Sequence, residues 1–182
     1  IVGITGLDTR SLTNFIRDNG APKGTIAYSK TSKFNISKLT NSTIKWSGLK
    51  NLDLAEKVTT PKNYIWKGLK TWKKETGYKK NNKNSFHVVA IDYGIKKNIL
   101  RYFSNFNCEV IVVPCNLQAK EIIKLNPDGI FLSNGPGDPG ATGRYAIDII
   151  KKLLKTNIPI FGICLGHQLL ALALKAKTKK MK

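Results

Sequence analysis

One stretch of this sequence decides the fold: Pro159-Ile-Phe-Gly-Ile-Cys-Leu-Gly-His-Gln-Leu-Leu-Ala-Leu-Ala173. An apolar strand runs into Gly162-Ile-Cys-Leu-Gly166 and continues as an apolar helix, which is the pattern of a nucleophile elbow. Glycines two residues before and after Cys164 let the strand and the helix approach closely around a strained turn. We therefore expect Cys164 to project at a helix N-terminus, where the dipole and unpaired N–H groups favour an attacking thiolate. The alternative is a buried cysteine in an ordinary strand–helix connection.

The sequence before the elbow alternates between strands and helices. Uniformly apolar segments predict strands, because strands buried on both faces lack a polar face; they lie at residues 86–91, 109–113, 129–132 and 158–163. Apolar residues at helical spacing predict helices between them, at residues 95–106, 119–125 and 144–155. The predicted fold class is α/β, a doubly wound and mostly parallel sheet with helices on both faces.

The first half of the chain has a weaker pattern. It predicts a capped helix at residues 8–17, a strand at 24–28 and short helices near 37–40 and 53–57. Three tryptophans are expected to act as packing anchors: Trp46, Trp66 and Trp72. Residues 78–85 are polar, charged and free of aliphatic side chains, so we predict a linker there between a first domain (residues 1–77) and a second (residues 86–182).

Composition indicates a globular cytoplasmic protein without a signal peptide or a membrane span. The formal net charge is +20, which would ordinarily indicate a polyanionic partner. However, the charge is spread over both halves, and only four of the 31 basic residues are Arg, the residue that base-reading proteins favour. An AT-rich genome explains this composition better, and a nucleic-acid-binding module stays a minor alternative. Cys108 and Cys115 are expected to be buried, with no disulfide and no metal site.

A loop rich in glycine and proline follows the strand before the elbow. It reads Asn134-Gly-Pro-Gly-Asp-Pro139 and, like Cys164, lies where ligands bind to an open parallel sheet, at the carboxyl ends of the strands. Gly135 and Gly137 lack side chains, so their backbone can approach a ligand closely. We expect the loop to contact substrate or an oxyanion, and an ordinary tight turn is the alternative.

A nucleophilic thiol also needs a proton acceptor, normally a histidine. His87 is predicted at the opening of the first strand of the sheet, remote from the carboxyl edge. His167 lies three residues after Cys164, on the elbow helix, where a side chain would help to seat the helix on the sheet. Neither fits the role of base well, so we expect the base to lie beyond Lys182.

Five segments carry a family resemblance over nearly the whole chain. They are residues 6–10 (GLDTR), 51–60 (NLDLAEKVTT), 86–101 (FHVVAIDYGIKKNILR), 126–139 (NPDGIFLSNGPGDP) and 159–168 (PIFGICLGHQ). The Gly-x-Cys-x-Gly pattern alone is shared by all class I glutamine amidotransferases, including the anthranilate, GMP and CTP branches. With the first-half motifs, the chain resembles the small, glutamine-hydrolysing subunit of carbamoyl-phosphate synthetase.

This resemblance implies roles for particular residues. Cys164 would be the nucleophile, the backbone at Gly135 and Gly137 and the N–H of Leu165 would contact glutamine or its oxyanion, and Gln168 would contact the substrate. Residues 1–77 would be the C-terminal part of the subunit's N-terminal domain. Residues 86–182 would be a class I amidotransferase domain with a flavodoxin-like fold, cut short after the nucleophile helix.

The resemblance also implies a pathway for ammonia. Glutamine would be hydrolysed through a cysteinyl thioester, and ammonia would pass through a tunnel to a large synthetase subunit. That subunit would use bicarbonate, ATP and Mg to make carbamoyl phosphate for pyrimidine and arginine synthesis, so no cofactor is expected in this chain. The family's His and Glu and a substrate-contacting Ser match no part of this sequence. We therefore expect the chain alone to be inactive; the alternative is a noncatalytic relic or scaffold.

Overall fold

The computed structural model describes residues 3–80 and 85–179. The described helices are α1 (Thr9–Asn19), α2 (Ile36–Lys45), α3 (Ala55–Val58), α4 (Lys97–Asn105), α5 (Ala119–Lys124), α6 (Pro139–Leu153) and α7 (Leu165–Ala173). The described strands are β1 (Tyr64–Ile65), β2 (Phe86–Asp92), β3 (Cys108–Pro114), β4 (Gly129–Leu132) and β5 (Ile160–Gly162). None of the helices in the described ranges is long and apolar enough to cross a membrane.

The described residues divide into two compact units, residues 3–48 and residues 49–179. Residues 49–80 belong to the second unit, in which β1 pairs with β3. The domain boundary expected at residues 78–85 stays a prediction, because residues 81–84 of that segment lie outside the described part of the chain.

The first unit contains α1 and α2. The Asp8 carboxylate accepts a hydrogen bond from Ser11 N (2.9 Å) and caps α1, so the capped helix predicted at residues 8–17 is confirmed. The helix ends two residues later than predicted, and its C-cap Gly20 has a positive φ of 79°. The strand predicted at residues 24–28 is wrong. These residues form no described strand and pair with no neighbouring strand, and Ile26 and Tyr28 are exposed.

The second unit contains a five-stranded sheet in the order β1-β3-β2-β4-β5. The last four are parallel, with Val88 opposite both Val110 and Gly129, and Leu132 opposite Gly162. The parallel strands therefore have the 2-1-3-4 order of flavodoxin-like folds, as predicted. The two-residue β1, which the sequence analysis missed, pairs with β3 in the antiparallel direction.

Apolar side chains cover both faces of this sheet. On one face, Val89, Ile91, Ile130 and Leu132 pack against residues of α5, α6 and α7. On the other face, strand residues including Val110, Val112 and Phe131 pack with Leu100 of α4 and with Trp66. Burial on both faces explains why the strands read as uninterrupted apolar segments.

Two local predictions need correction. Helix α6 begins at Pro139 rather than near Arg144, because the Asp138 carboxylate caps it by accepting from Gly140 N (2.8 Å) and proline is favourable at a first helical position. Of the three tryptophans, only Trp66 is an anchor: it packs on the sheet and its indole N–H donates to Ser104 Oγ (3.1 Å). Trp46 and Trp72 are exposed.

Candidate active site

The candidate site lies at the carboxyl edge of the sheet. Ligands bind to such sheets where neighbouring strands lead to helices on opposite faces, here between β2 and β4. The segment after β2 begins at Tyr93, the segment after β4 begins at Ser133, and β5 leads into Cys164. The fold therefore brings the predicted loop and the predicted nucleophile to one edge.

Cys164 occupies the elbow between β5 and α7. Its backbone has φ 52° and ψ −112°, a conformation that L residues rarely adopt and that proteins retain chiefly at functional sites. Cys164 is the N-cap of α7, and the residue is exposed. This exposure contradicts the alternative of a buried cysteine. Cys108 and Cys115 are buried, as predicted.

The two glycines that flank the elbow are required by close backbone contacts. A Cβ atom on Gly162 would lie 2.7 Å from Gly166 C and from His167 N. A Cβ atom on Gly166 would lie 2.1 Å from Leu132 O, on the neighbouring strand. Gly166 N also donates to Ser133 O (3.0 Å), so the start of α7 is fixed directly to the end of β4. Only glycine at both positions permits this approach of helix and strand.

The glycine loop, residues 134–138, lies against the segment that follows β2. A Cβ atom on Gly135 would lie 2.0 Å from Tyr93 O, and Gly137 has a left-handed φ of 103°. No described group accepts a hydrogen bond from the backbone N–H of Gly135, Gly137 or Leu165. Unpaired N–H groups at the same sheet edge as an exposed thiol are the kind of donor that a developing oxyanion needs.

Buried polar side chains hold this loop, and the sequence analysis did not single them out. The hydroxyl of Ser133 is fully buried, accepts from Tyr93 N (2.8 Å) and donates to Asn134 O (2.7 Å). The Asn134 side chain accepts from Lys96 N (3.2 Å) and donates to Gly94 O (2.9 Å). Polar residues that directly follow an apolar strand were the available signal.

Residues 89–182 match the glutamine amidotransferase class-I family, a match that includes the elbow, the glycine loop and more than half of the chain. The chain belongs to this family. The amidotransferase match begins in β2, so it covers the four parallel strands.

Over its full length, this amidotransferase chain is also similar to proteins named carbamoyl phosphate synthase small chain. It is 52% identical over 183 residues to the protein of Rhizobium meliloti and 53% identical over 182 residues to that of Bartonella henselae. These alignments cover all of this chain and 45% of each relative, so the chain spans less than half the length of the relatives. The matches confirm the family resemblance that the motifs predicted.

Two other residues singled out in the sequence, Gln168 and His87, lie in the amidotransferase unit at different distances from the elbow. Gln168 is exposed one helical turn after Cys164, and its N–H donates to Cys164 O (3.0 Å). His87 lies near the start of β2, at the end of the sheet opposite to the carboxyl edge, and its Nδ1 is 3.0 Å from Glu109 Oε2. The prediction that His87 is remote from the site is therefore confirmed.

His167 is exposed on α7, so the expectation that its side chain helps to seat the helix on the sheet is wrong. No described residue forms a hydrogen bond with Cys164 Sγ. The described residues therefore present an exposed thiol and unpaired backbone N–H groups without a base in contact with the thiol.

A buried polar cluster lies in the core of the amidotransferase unit. The Tyr145 hydroxyl donates to Cys115 Sγ (3.3 Å), and the Cys115 backbone N–H donates to Thr59 Oγ1 (3.0 Å). Burial raises the pKa of the Cys115 thiol and those of the Tyr93 and Tyr145 hydroxyls. The Tyr93 hydroxyl forms no hydrogen bond within the described structure. These groups are therefore neutral, which suits a supporting layer rather than a reactive one.

Proposed function

We propose that this chain is the nucleophile-bearing part of a glutamine-hydrolysing subunit of carbamoyl-phosphate synthetase. One observation carries the proposal: an exposed cysteine with a strained backbone, at the edge of the sheet that also carries unpaired backbone donors. Burial would make Cys164 inert, and a buried cysteine is the usual structural arrangement. The match to the glutamine amidotransferase class-I family supports glutamine as the substrate.

The reaction follows from the chemistry of these groups. The Cys164 thiolate attacks the side-chain amide carbon of glutamine, and the N–H groups of Leu165, Gly135 and Gly137 stabilise the resulting oxyanion. Collapse of this intermediate breaks the C–N bond, a proton goes to the nitrogen and ammonia leaves. Water then attacks the thioester, which releases glutamate and regenerates the thiol. Gln168, which is exposed in the first turn of α7 after Cys164, contacts the substrate.

The proton acceptor in this proposal comes from outside these 182 residues. His87 lies at the wrong end of β2, and no hydrogen bond joins His167 to the thiol in the described structure. A base must come within hydrogen-bond reach of the group it deprotonates. The family resemblance assigns this role to a His and a Glu of the longer subunit. The chain alone is accordingly expected to show little or no glutaminase turnover.

The partner and the pathway follow from the same resemblance. The ammonia goes to a large synthetase subunit, which binds ATP and Mg and makes carbamoyl phosphate for pyrimidine and arginine synthesis. The complex works in the cytoplasm. The name of the relatives, carbamoyl phosphate synthase small chain, supports a large partner chain.

The test compares two thiol reagents. A chloroketone analogue of glutamine requires recognition of glutamine, whereas iodoacetamide reports only an accessible thiol. We would use a chimera in which this chain replaces the matching 183 residues of the Rhizobium meliloti small chain. The expected result is stoichiometric chloroketone labelling at Cys164, protection by glutamine, glutaminase turnover, and loss of all three in Cys164→Ser.

A different outcome would contradict the proposal. A folded chimera that reacts with iodoacetamide but shows no glutamine-protected chloroketone labelling and no turnover would indicate a noncatalytic scaffold. Cys115→Ser is the matched control, because Cys115 is buried away from the elbow and its replacement should leave the labelling unchanged.

A further inference from the structure

Residues 51–60 form a segment that the proposed mechanism leaves without a role, and we refer to it as the clamp. It contains the short helix α3 and lies along the carboxyl edge of the sheet within the second unit. At one end, Thr60 N donates to Oδ2 of Asp92 (2.8 Å), the last residue of β2. Near that end, Thr59 Oγ1 accepts from Cys115 N (3.0 Å), after β3.

The other end of the clamp contacts the glycine loop. Asn51 N donates to Asp138 Oδ2 (2.8 Å), and Asp138 N donates to Leu52 O (3.0 Å), so two hydrogen bonds in opposite directions join the clamp and the loop. Asp53 Oδ1 accepts from the hydroxyl of the buried Thr142, on α6 (3.0 Å). The clamp is thus hydrogen-bonded to the last residue of β2 and to the segments that follow β3 and β4.

The clamp also restricts the backbone of the loop sterically. A Cβ atom on Gly137 would lie 2.8 Å from Leu52 O and 2.9 Å from Leu54 N, so the clamp is in direct contact with Gly137. On the other side, a Cβ atom on Gly135 would meet Tyr93 O. The loop therefore has close contacts both with the segment after β2, at Gly135, and with the clamp, at Gly137.

We propose that the clamp positions the Gly135 and Gly137 N–H groups for the oxyanion, and that Asp138 is the positioning residue that couples clamp and loop. Oxyanion donors are effective when they are fixed before the reaction, since no energy is then spent on reorganising them. Asp138 does not touch the substrate in this proposal. Its carboxylate accepts from Asn51 N on the clamp and from Gly140 N at the start of α6. It therefore fixes the loop where it enters the helix.

This inference rests on the proposed glutamine hydrolysis, so its test has a readout that does not need activity. The first measurement is the backbone order parameter of Gly135 and Gly137 by NMR relaxation in the 182-residue chain. In the wild type we expect about 0.85, the value of rigid backbone, and in Asp138→Ala a fall below about 0.6. The matched control is Asp148→Ala, because Asp148 is an exposed acid on the same helix with no hydrogen bond in the described structure.

The second measurement is labelling of Cys164 in the chimera. Because a hydrogen bond to a charged group can shift an equilibrium about tenfold or more, Asp138→Ala should slow chloroketone labelling by at least about tenfold. Iodoacetamide labelling should stay unchanged, because it needs only the accessible thiol. Asp138→Asn, which keeps one carbonyl oxygen, should recover part of the chloroketone rate. A merely structural role would change both reagents together.

The outcomes separate the two proposals. If the wild-type chimera itself lacks glutamine-protected labelling, the proposed function fails before any variant is compared. If the wild type labels but Asp138→Ala leaves the order parameters or the reagent selectivity unchanged, the clamp proposal is wrong and the proposed function stands. If Asp138→Ala does not fold, Thr142→Val removes the hydroxyl that donates to Asp53 with little change of shape, and it should change both readouts in the same direction.

Discussion

Replacing Gly166 by alanine tests the close approach of α7 and β4 that places the thiol. The new methyl group would lie 2.1 Å from Leu132 O, 2.5 Å from Leu132 C and 2.8 Å from Leu132 Cβ. Relief requires the start of α7 to move away from β4 by about 1 Å, because two of these atoms belong to strand backbone that cannot rotate aside. Gly166 N would then lose its hydrogen bond to Ser133 O.

The loss of stability in Gly166→Ala can be worked out from these contacts. We expect this overpacking to lower the free energy of unfolding by about 3 kcal/mol. This value is at the upper end of the usual range because the clash involves backbone atoms. For a chain of this length that corresponds to a fall in Tm of about 6–12 °C. A shift of about 1 Å in the nucleophile can also slow a reaction about a hundredfold. We expect a corresponding loss of chloroketone labelling at Cys164 in the chimera.

The assay is thermal unfolding of the 182-residue chain, together with labelling of the chimera. Gly129→Ala is the matched control, because the nearest atom to its new methyl group would be Pro159 O at 3.8 Å, an ordinary contact. We expect Gly129→Ala to have a Tm equal to or above that of the wild type. If Gly166→Ala unfolds at the same temperature as Gly129→Ala and labels at the wild-type rate, the argument that glycine is required at the elbow is wrong.

Three further predictions concern groups around the site. Ser133→Ala leaves the Tyr93 N–H without its acceptor and should lower the free energy of unfolding in urea by about 1–3 kcal/mol. Tyr93→Phe removes a buried hydroxyl without a hydrogen bond in the described structure and should leave that free energy unchanged or raise it; a loss above about 1 kcal/mol would contradict this. Hydrogen bonds, of which that from Asn51 N has the largest effect, lower the pKa of the Asp138 carboxyl in the folded protein. The ionised carboxylate therefore stabilises the fold fully above the unfolded-state pKa, and this stabilisation is lost as pH falls through the lower folded-state pKa. The stability difference between the wild type and Asp138→Asn should therefore be full near pH 6 and shrink below about pH 4, and a difference that grows on acidification would refute the assignment.

The parallel sheet could be predicted because its signals are local. The central part of β2 and most of β3 and β4 are buried among apolar side chains on both faces, so their segments read as apolar. The elbow is marked by two glycines whose positions the backbone contacts explain. The late start predicted for α6 has a physical reason. Gly140 and Gly143 weaken the helical pattern, whereas Asp138 and Pro139 supply the cap that starts the helix.

The clamp and β1 could not be predicted in the same way. The clamp's contact with the glycine loop joins Asn51 to Asp138, which are 87 residues apart, and no periodicity within residues 51–60 reports such a contact. Strand β1 has only two residues, both exposed, and it exists because the edge of β3 offers it a partner. The role of Ser133 likewise depends on Tyr93, which follows the neighbouring strand β2 and is 40 residues away in the sequence.

The three thiols differ in exposure, and this difference can be used to measure the fraction of folded protein. Cys164 is exposed, whereas Cys108 and Cys115 are buried and burial raises the pKa of both. A colorimetric thiol titration should accordingly count one fast sulfhydryl per native molecule and three per molecule in denaturant. The ratio of the two counts would report the native fraction of any preparation. The same asymmetry would let a fluorophore be attached at the elbow of the unmutated chain.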